Sequence, residues 1–485
     1  MRKTESLLNV AAQVFVVLSM CFYLLSIVMI SRDDLLNSYS VLGVLTIAIT
    51  ILFAAFISKM FKSDSQAVIV CFVLSFVVLM IWNQLVESQP DNDYEMLWRS
   101  AKQIVDGTFH ERLIRKDDIF VFCSYLTGYS YYLAILYKLC LGSIVAVRII
   151  RLFIFALINI IMFKTLRLNC GIRSAFSGVL LFLFYPFVFI GSGVFNNQHE
   201  GLLFEAISFY LVMKSMKDKD YRFHKWLIVG IVIGLADFFR PSAFVILVAV
   251  FLVAMLKAFF EKNRSLVLCA FLMVTSFVLF GYLIDKLFII TGLAPYGIKS
   301  HNYWYKLIIG LTGEGMLHHP TVDSEHTTFY YDLQYYNFDY EAYREAARRY
   351  VFSLFMNNKI KPSSVFYHLV YFAGDVDNQY WYIGSSFLDH NPLLLTVLNC
   401  IGMLIYTITL VLSIIRCCSK RILSNIAIAL PAIVFVGYFL IHFVFETQTR
   451  YRYEQYYVLF LLAVPVMSHL WTSIRVKLDR SRTCL

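Results

Sequence analysis

The sequence predicts an all-α polytopic membrane protein of about twelve transmembrane helices, with two large outer loops that contain interfacial helices. Three observations predict it. The chain is 59% hydrophobic and only 15% charged, where a soluble domain carries about 25% charged residues. Apolar runs recur along it at close to the ~20 residues that a membrane-crossing helix needs. Lysine and arginine gather in alternate connections between those runs, as they do in cytoplasmic loops.

The runs fall at residues 10–30, 41–57, 67–82, 144–163, 175–194, 202–213, 226–239, 243–258, 265–290, 392–415, 422–445 and 457–471. The first is too long for a cleaved signal peptide and has no small-residue cleavage site, so it reads as a retained span. The split between the seventh and eighth runs rests on Arg240-Pro241. A single kinked helix there would invert the parity of everything downstream.

Charge placement favours the split. With Arg2 and Lys3 inside, the inner connections hold Lys59 and Lys62, then Lys164, Arg167 and Arg173, then Lys214 to Lys225, then Lys257 to Arg264, then Arg416 to Arg421. The short outer connections hold few cations: Arg32, Arg240, Arg450 and Arg452. Both termini are therefore expected in the cytoplasm. The net charge of +10 is positive-inside bias, and no nucleic-acid partner is implied.

The expected organisation is N-terminal spans over 1–82, a first large outer loop over 83–143, and central spans over 144–291. A second outer loop covers 292–391, and C-terminal spans with a basic cytoplasmic tail cover 392–485. Both loops are dense in aromatic residues. Helical spacing is expected over 94–106, 125–141 and 338–355. The ten cysteines are scattered, with no zinc or disulfide spacing. No phosphate-cradling glycine loop or dinucleotide fingerprint is present.

Chemistry concentrates after the third run, in Gln89-Pro90-Asp91-Asn92-Asp93-Tyr94-Glu95. Carboxylates at the mouth of a membrane helix are costly and mark a functional path. The stretch from Asp91 to Gly107 resembles the first outer loop of the GT-C glycosyltransferases, in the bacterial branch related to protein O-mannosyltransferases and lipid A aminoarabinose transferases. Tyr132 to Lys138 is similar to that family's interfacial helix. Gly234-Leu235-Ala236-Asp237-Phe238-Phe239-Arg240-Pro241 resembles its Gly-Leu…Arg-Pro break, and Glu446-Thr447-Gln448-Thr449-Arg450-Tyr451 its acidic-then-Arg-Tyr signature. The matches lie in family order.

The resemblance implies an inverting glycosyltransferase. Such an enzyme takes a sugar from a polyprenyl-phosphate donor and passes it to a hydroxyl of a glycan, lipid or protein, on the extracytoplasmic side of the cell membrane. Asp93 would be the base for that hydroxyl, with Asp91 beside it for acceptor or metal. Arg240, Arg450 and Arg452 would hold the donor phosphate through planar donor forks. Glu200, His199 and Glu446 would line the cavity. No cofactor is required, and a divalent metal at the acidic loop stays open; His318, His319, Asp323 and His326 match no standard metal spacing. Two alternatives stand beside this reading: a polysaccharide polymerase or ligase using a lipid diphosphate, and a lipid or sugar transporter.

Overall fold

The computed structural model describes residues 2–33, 39–114, 120, 123–295, 297–299, 303–312, 340–357, 360, 362–375, 385–419, 422–445 and 449–483. These residues are helical or in short connections, and among them no strand occurs. The protein is an all-α polytopic membrane protein.

The first three long helices are α1 (Arg2–Ile30), α2 (Ser40–Ile57) and α3 (Asp64–Val86). The segment after α3 then carries α4 (Asp93–Val105), α5 (Phe109–Ile114) and α6 (Tyr125–Leu139). Next come α7 (Ile144–Arg167), α8 (Ile172–Leu183), α9 (Pro186–Gly191) and α10 (Gln198–Lys217). They are followed by α11 (Phe223–Phe239), α12 (Phe244–Glu261) and α13 (Arg264–Ile290). The segment after α13 contributes α14 (Tyr303–Thr312), α15 (Tyr340–Met356), α16 (Pro362–Gly374) and α17 (Ser386–Asp389). The chain closes with α18 (Pro392–Ser419), α19 (Ile426–His442) and α20 (Tyr453–Thr483). Every apolar run falls on one of these helices, the fifth being shared by α8 and α9.

Among the described residues, seven helices are long and apolar enough to cross a membrane on their own: those at Ser6–Ile30, Ser40–Met60, Asp64–Val86, Ile144–Arg167, Phe244–Glu261, Arg264–Ile290 and Pro392–Ser419. Their large apolar side chains are widely exposed, as at Leu18, Ile49, Ile69 and Val278. Water would oppose such a surface; lipid tails accept it. The interior is packed by α7, α8, α10 and the first half of α20, where Tyr453, Tyr456, Tyr457, Leu459 and Leu462 are all buried. Small residues bring helices close. At Gly230 on α11 an added Cβ would lie 2.1 Å from the Met273 carbonyl oxygen of α13, so the two backbones touch there.

The helix ends sort onto two faces. On one, Asn9 Oδ1 accepts from the Leu423 amide at 2.9 Å, and Gln13 Nε2 donates to the Cys417 carbonyl at 2.9 Å. Arg167 pairs with Asp64 at 3.0 Å, Lys257 Nζ donates to the Met216 carbonyl at 3.2 Å, and Cys269 Sγ meets the Tyr221 carbonyl at 3.3 Å. On the other, Ser31 Oγ donates to the Gly374 carbonyl at 2.7 Å, Asn197 Nδ2 to the Phe239 carbonyl at 2.6 Å, and Tyr131 Oη to the Leu293 carbonyl at 2.9 Å. The end of α12 thus returns to the face where α11 began. Arg240-Pro241 separates two antiparallel crossings, as the charge pattern expected.

Candidate active site

The second face gathers most of the residues that the sequence singles out. Proline at 241 ends α11, and Arg240 caps it in an extended conformation. The chain turns there, which leaves the Arg240 side chain beside the start of α20. Its Nε lies 2.8 Å from Glu454 Oε1, a pair that is almost wholly buried. Its guanidinium stacks 4.8 Å from the Tyr451 ring centroid. Burial opposes the Arg240 charge most strongly, but Glu454 together with Tyr451, Tyr438 and Tyr94 outweighs it and raises the pKa. Close approach is possible because Gly201 of α10 faces Arg240, where a Cβ would come within 3.2 Å.

Immediately before Gly201, Glu200 and His199 meet Arg151 of α7. Arg151 Nε donates to Glu200 Oε1 at 2.8 Å, and both side chains are buried. Arg151 Nη1 donates to the Val194 carbonyl at 2.6 Å and Nη2 to the Asn196 carbonyl at 2.8 Å. His199 Nδ1 is 3.1 Å from Nη2, and its ring packs 4.9 Å from that of Tyr453. Tyr453 precedes Glu454, so the two ion pairs form one polar patch. Tyr132 of the interfacial helix α6 joins it: burial and the Glu200 carboxylate push its phenol above the ordinary range. Among the described residues, His199 Nε2 and the Tyr129 and Tyr453 hydroxyls are buried there without a hydrogen-bond partner.

The acidic loop stands at the edge of this patch. Asn92, with a positive φ of 50°, is the N-cap of α4, and its side chain makes no capping bond. Asp93 opens the helix and is exposed; Asp91 turns back so that its Oδ1 accepts from the Asn92 amide at 2.8 Å. Glu95 pairs with Arg99 at 2.5 Å on the wet face. Tyr94 is buried and lies within electrostatic reach of Arg240. The acidic loop and the Arg-Pro break are therefore neighbours.

Other expected residues are placed differently. Arg452 is buried, donates through Nη1 to the Ala373 carbonyl at 2.8 Å and through Nη2 to the Asp375 carbonyl, and lies over the rings of Tyr406 and Tyr456. Its fork is committed to backbone rather than aimed at a ligand. Arg450 falls in a short 3-10 turn, Thr449–Arg452. Glu446, His318, His319, Asp323, His326, Asp377 and Trp381 lie outside the described residues. Asp285 near the end of α13 accepts from the amides of Ile298 at 2.7 Å and Lys299 at 2.9 Å. Lys299 then reaches Asp237 of α11 at 3.1 Å. Among the described residues, no cluster of three or more histidine, cysteine or acidic side chains suits a metal ion.

Sequence reasoning passed over Arg148, Arg151 and Glu205. All three are buried and interrupt apolar runs, and a charge inside such a run was the signal available. Glu205 accepts from the Tyr438 hydroxyl at 3.3 Å.

Residues 127–284 match the family model described as dolichyl-phosphate-mannose-protein mannosyltransferase. The matched segment holds Arg151, His199, Glu200 and Arg240, but not the acidic loop or Glu454. No curated protein matches the chain at a significant level. With the polytopic helical fold, this match over part of the chain supports a membrane glycosyltransferase of the GT-C type.

Proposed function

We propose that this chain transfers a sugar from a polyprenyl-phosphate donor to an acceptor hydroxyl, with inversion, at the face that carries the Arg240–Glu454 pair and the acidic loop with Asp93. The observation that carries the reading is the buried Arg240–Glu454 pair beside Tyr94 of the acidic loop. It sets a cation with a planar donor fork near the loop that carries Asp91 and Asp93. In the reaction, the acceptor oxygen forms a bond to the anomeric carbon, and the bond from that carbon to the phosphate oxygen breaks. The hydroxyl proton passes to Asp93, and the lipid phosphate leaves with the electron pair and its charge. Arg240 stabilises that charge, as fixed donors do where negative charge develops. Glu454 holds the guanidinium until phosphate arrives. The unpartnered His199 Nε2 and the Tyr129 and Tyr453 hydroxyls suit sugar hydroxyls once the patch opens.

Asp91 is a neighbour for the acceptor, and Arg450 a second cation for the phosphate. Arg452 fixes the backbone at Ala373 and Asp375 and so shapes the second outer segment. The positive-inside pattern supports an outer position for this face, with both termini in the cytoplasm.

The test is a proteoliposome assay with radiolabelled polyprenyl-phosphate sugars. Asp93→Asn should lower transfer by at least ~10²-fold, the low end for a lost general base. Arg240→Lys should recover only part of what Arg240→Ala loses, since an ammonium lacks the two-donor fork. Near-normal turnover by Asp93→Asn removes it as the base. Transfer from a lipid diphosphate alone would favour the polymerase or ligase reading.

A further inference from the structure

A second charged site lies outside this patch, in a groove of about 200 Å³ between the end of α3 and the start of α7. Its polar end is formed by Asn83, Gln84, Glu87, Gln89 and Arg148, and its apolar end by Met80 and Leu152 with their neighbours. The flanking Ile81, Leu85 and Val145 are exposed, so in a membrane the groove opens sideways onto lipid.

Its charges are unmatched. Arg148 is buried, and Nη2 donates to the Ser88 carbonyl, but Nε is buried without an acceptor. Arg151, three residues on, is neutralised by Glu200; among the described residues Arg148 has no ion pair. Glu87 is exposed, caps α3 in the left-handed region (φ 46°) and has none either. The two charges share a groove yet do not pair. Asn83 Oδ1, also buried, lacks a donor there. Both charges also sit against their helix dipoles. Glu87 is at the negative end of α3, and Arg148 is near the positive end of α7. A buried guanidinium without a counter-charge is costly.

We infer that this groove binds the headgroup of a zwitterionic phospholipid bearing a primary ammonium, such as phosphatidylethanolamine. Its phosphate meets Arg148, its ammonium donates to Glu87 and Asn83 Oδ1, and its acyl chains run along Met80 and Leu152. One molecule then answers the orphan donor, the orphan acceptor and both lone charges. The site differs from the proposed donor site, because a polyprenyl phosphate has no ammonium. It also sits at the root of the acidic loop: Arg148 holds Ser88, and Gln89 lines the groove. Occupancy therefore steadies the segment that leads to Asp91 and Asp93.

The experiment uses the full chain in nanodiscs with phosphatidylethanolamine carrying a diazirine in its acyl chain. Light should crosslink it to peptides spanning 80–89 and 145–152. Unlabelled phosphatidylethanolamine should compete, while phosphatidylglycerol, which keeps the phosphate and lacks the ammonium, should compete roughly tenfold less well, the worth of one charged hydrogen bond. Glu87→Gln should erase that preference, and Arg148→Gln should abolish labelling. If Arg148→Gln does not fold, the exposed Glu87→Gln variant still decides. Glycerophosphoethanolamine, a headgroup without chains, should displace poorly. Labelling elsewhere, equal competition by phosphatidylglycerol, an unchanged preference in Glu87→Gln, or full displacement by the chain-free headgroup would each overturn the assignment.

Discussion

Removing Arg151 should harm the protein more than removing Arg151 and the charge of Glu200 together. Arg151 is 1% and Glu200 2% exposed at the side chain, with Nε and Oε1 2.8 Å apart. Breaking such a pair from one side strands the other charge, at ~3–5 kcal/mol. Arg151 also satisfies the Val194 and Asn196 carbonyls, and each buried orphan acceptor costs ~1–3 kcal/mol. Arg151→Met should therefore lose ~5–11 kcal/mol, a large share of the ~5–15 kcal/mol stability of a typical domain. The Arg151→Met, Glu200→Gln double variant keeps the two orphan carbonyls and no buried charge, so ~2–6 kcal/mol remains. Glu200→Gln alone should cost ~3–5 kcal/mol. The readout is the folded fraction in detergent against temperature and SDS, measured on all four members of the cycle. The double variant should be more stable than Arg151→Met. If the two single losses simply add, the pair is not a coupled unit and the assignment of Glu200 as the partner of Arg151 fails.

Other outcomes follow from the same geometry. Arg452→Lys should lower thermal stability while leaving KM for the donor nearly unchanged, because Arg452 bonds to backbone carbonyls; a raised KM with unchanged stability would return it to the phosphate. Gly230→Ala should destabilise by ~1–3 kcal/mol, the usual cost of overpacking, since the added methyl would meet Met273 backbone and Ser276 Oγ; unfolding curves that overlay the parent would show that α11 and α13 do not touch there. In a cysteine-free background, a cysteine at Asn92 should react with an impermeant reagent added outside intact cells and one at Ser419 should not; the reverse pattern would invert the topology.

The spans were legible because hydropathy is a sum over many residues and survives local error. The break at Arg240-Pro241 was legible for a different reason: proline cannot continue a helix, and cations should alternate between faces. Both appear as the antiparallel turn between α11 and α12. The loop helices were legible within a few residues. Helical spacing over 94–106 and 338–355 became Asp93–Val105 and Tyr340–Met356.

The partners of the charges were not legible. A sequence says that a charge in an apolar run is expensive. It does not say what relieves the expense, because the relieving group is remote along the chain. Glu200 lies 49 residues from Arg151, and Glu454 is far along the chain from Arg240, at the start of α20. Arg450 and Arg452 show the limit most clearly. They share a signature and differ by two positions, so pattern gives both the same task. The aromatic rings of Phe372, Tyr406 and Tyr456 close around Arg452, and the carbonyls at Ala373 and Asp375 occupy its donors. A guanidinium so enclosed would have to abandon two hydrogen bonds to take a phosphate, at ~1.5–3 kcal/mol each for bonds to a charged group. Arg240 would trade one carboxylate for another anion of like geometry. That exchange is the cheaper one, and it makes Arg240, rather than Arg452, the cation to test first.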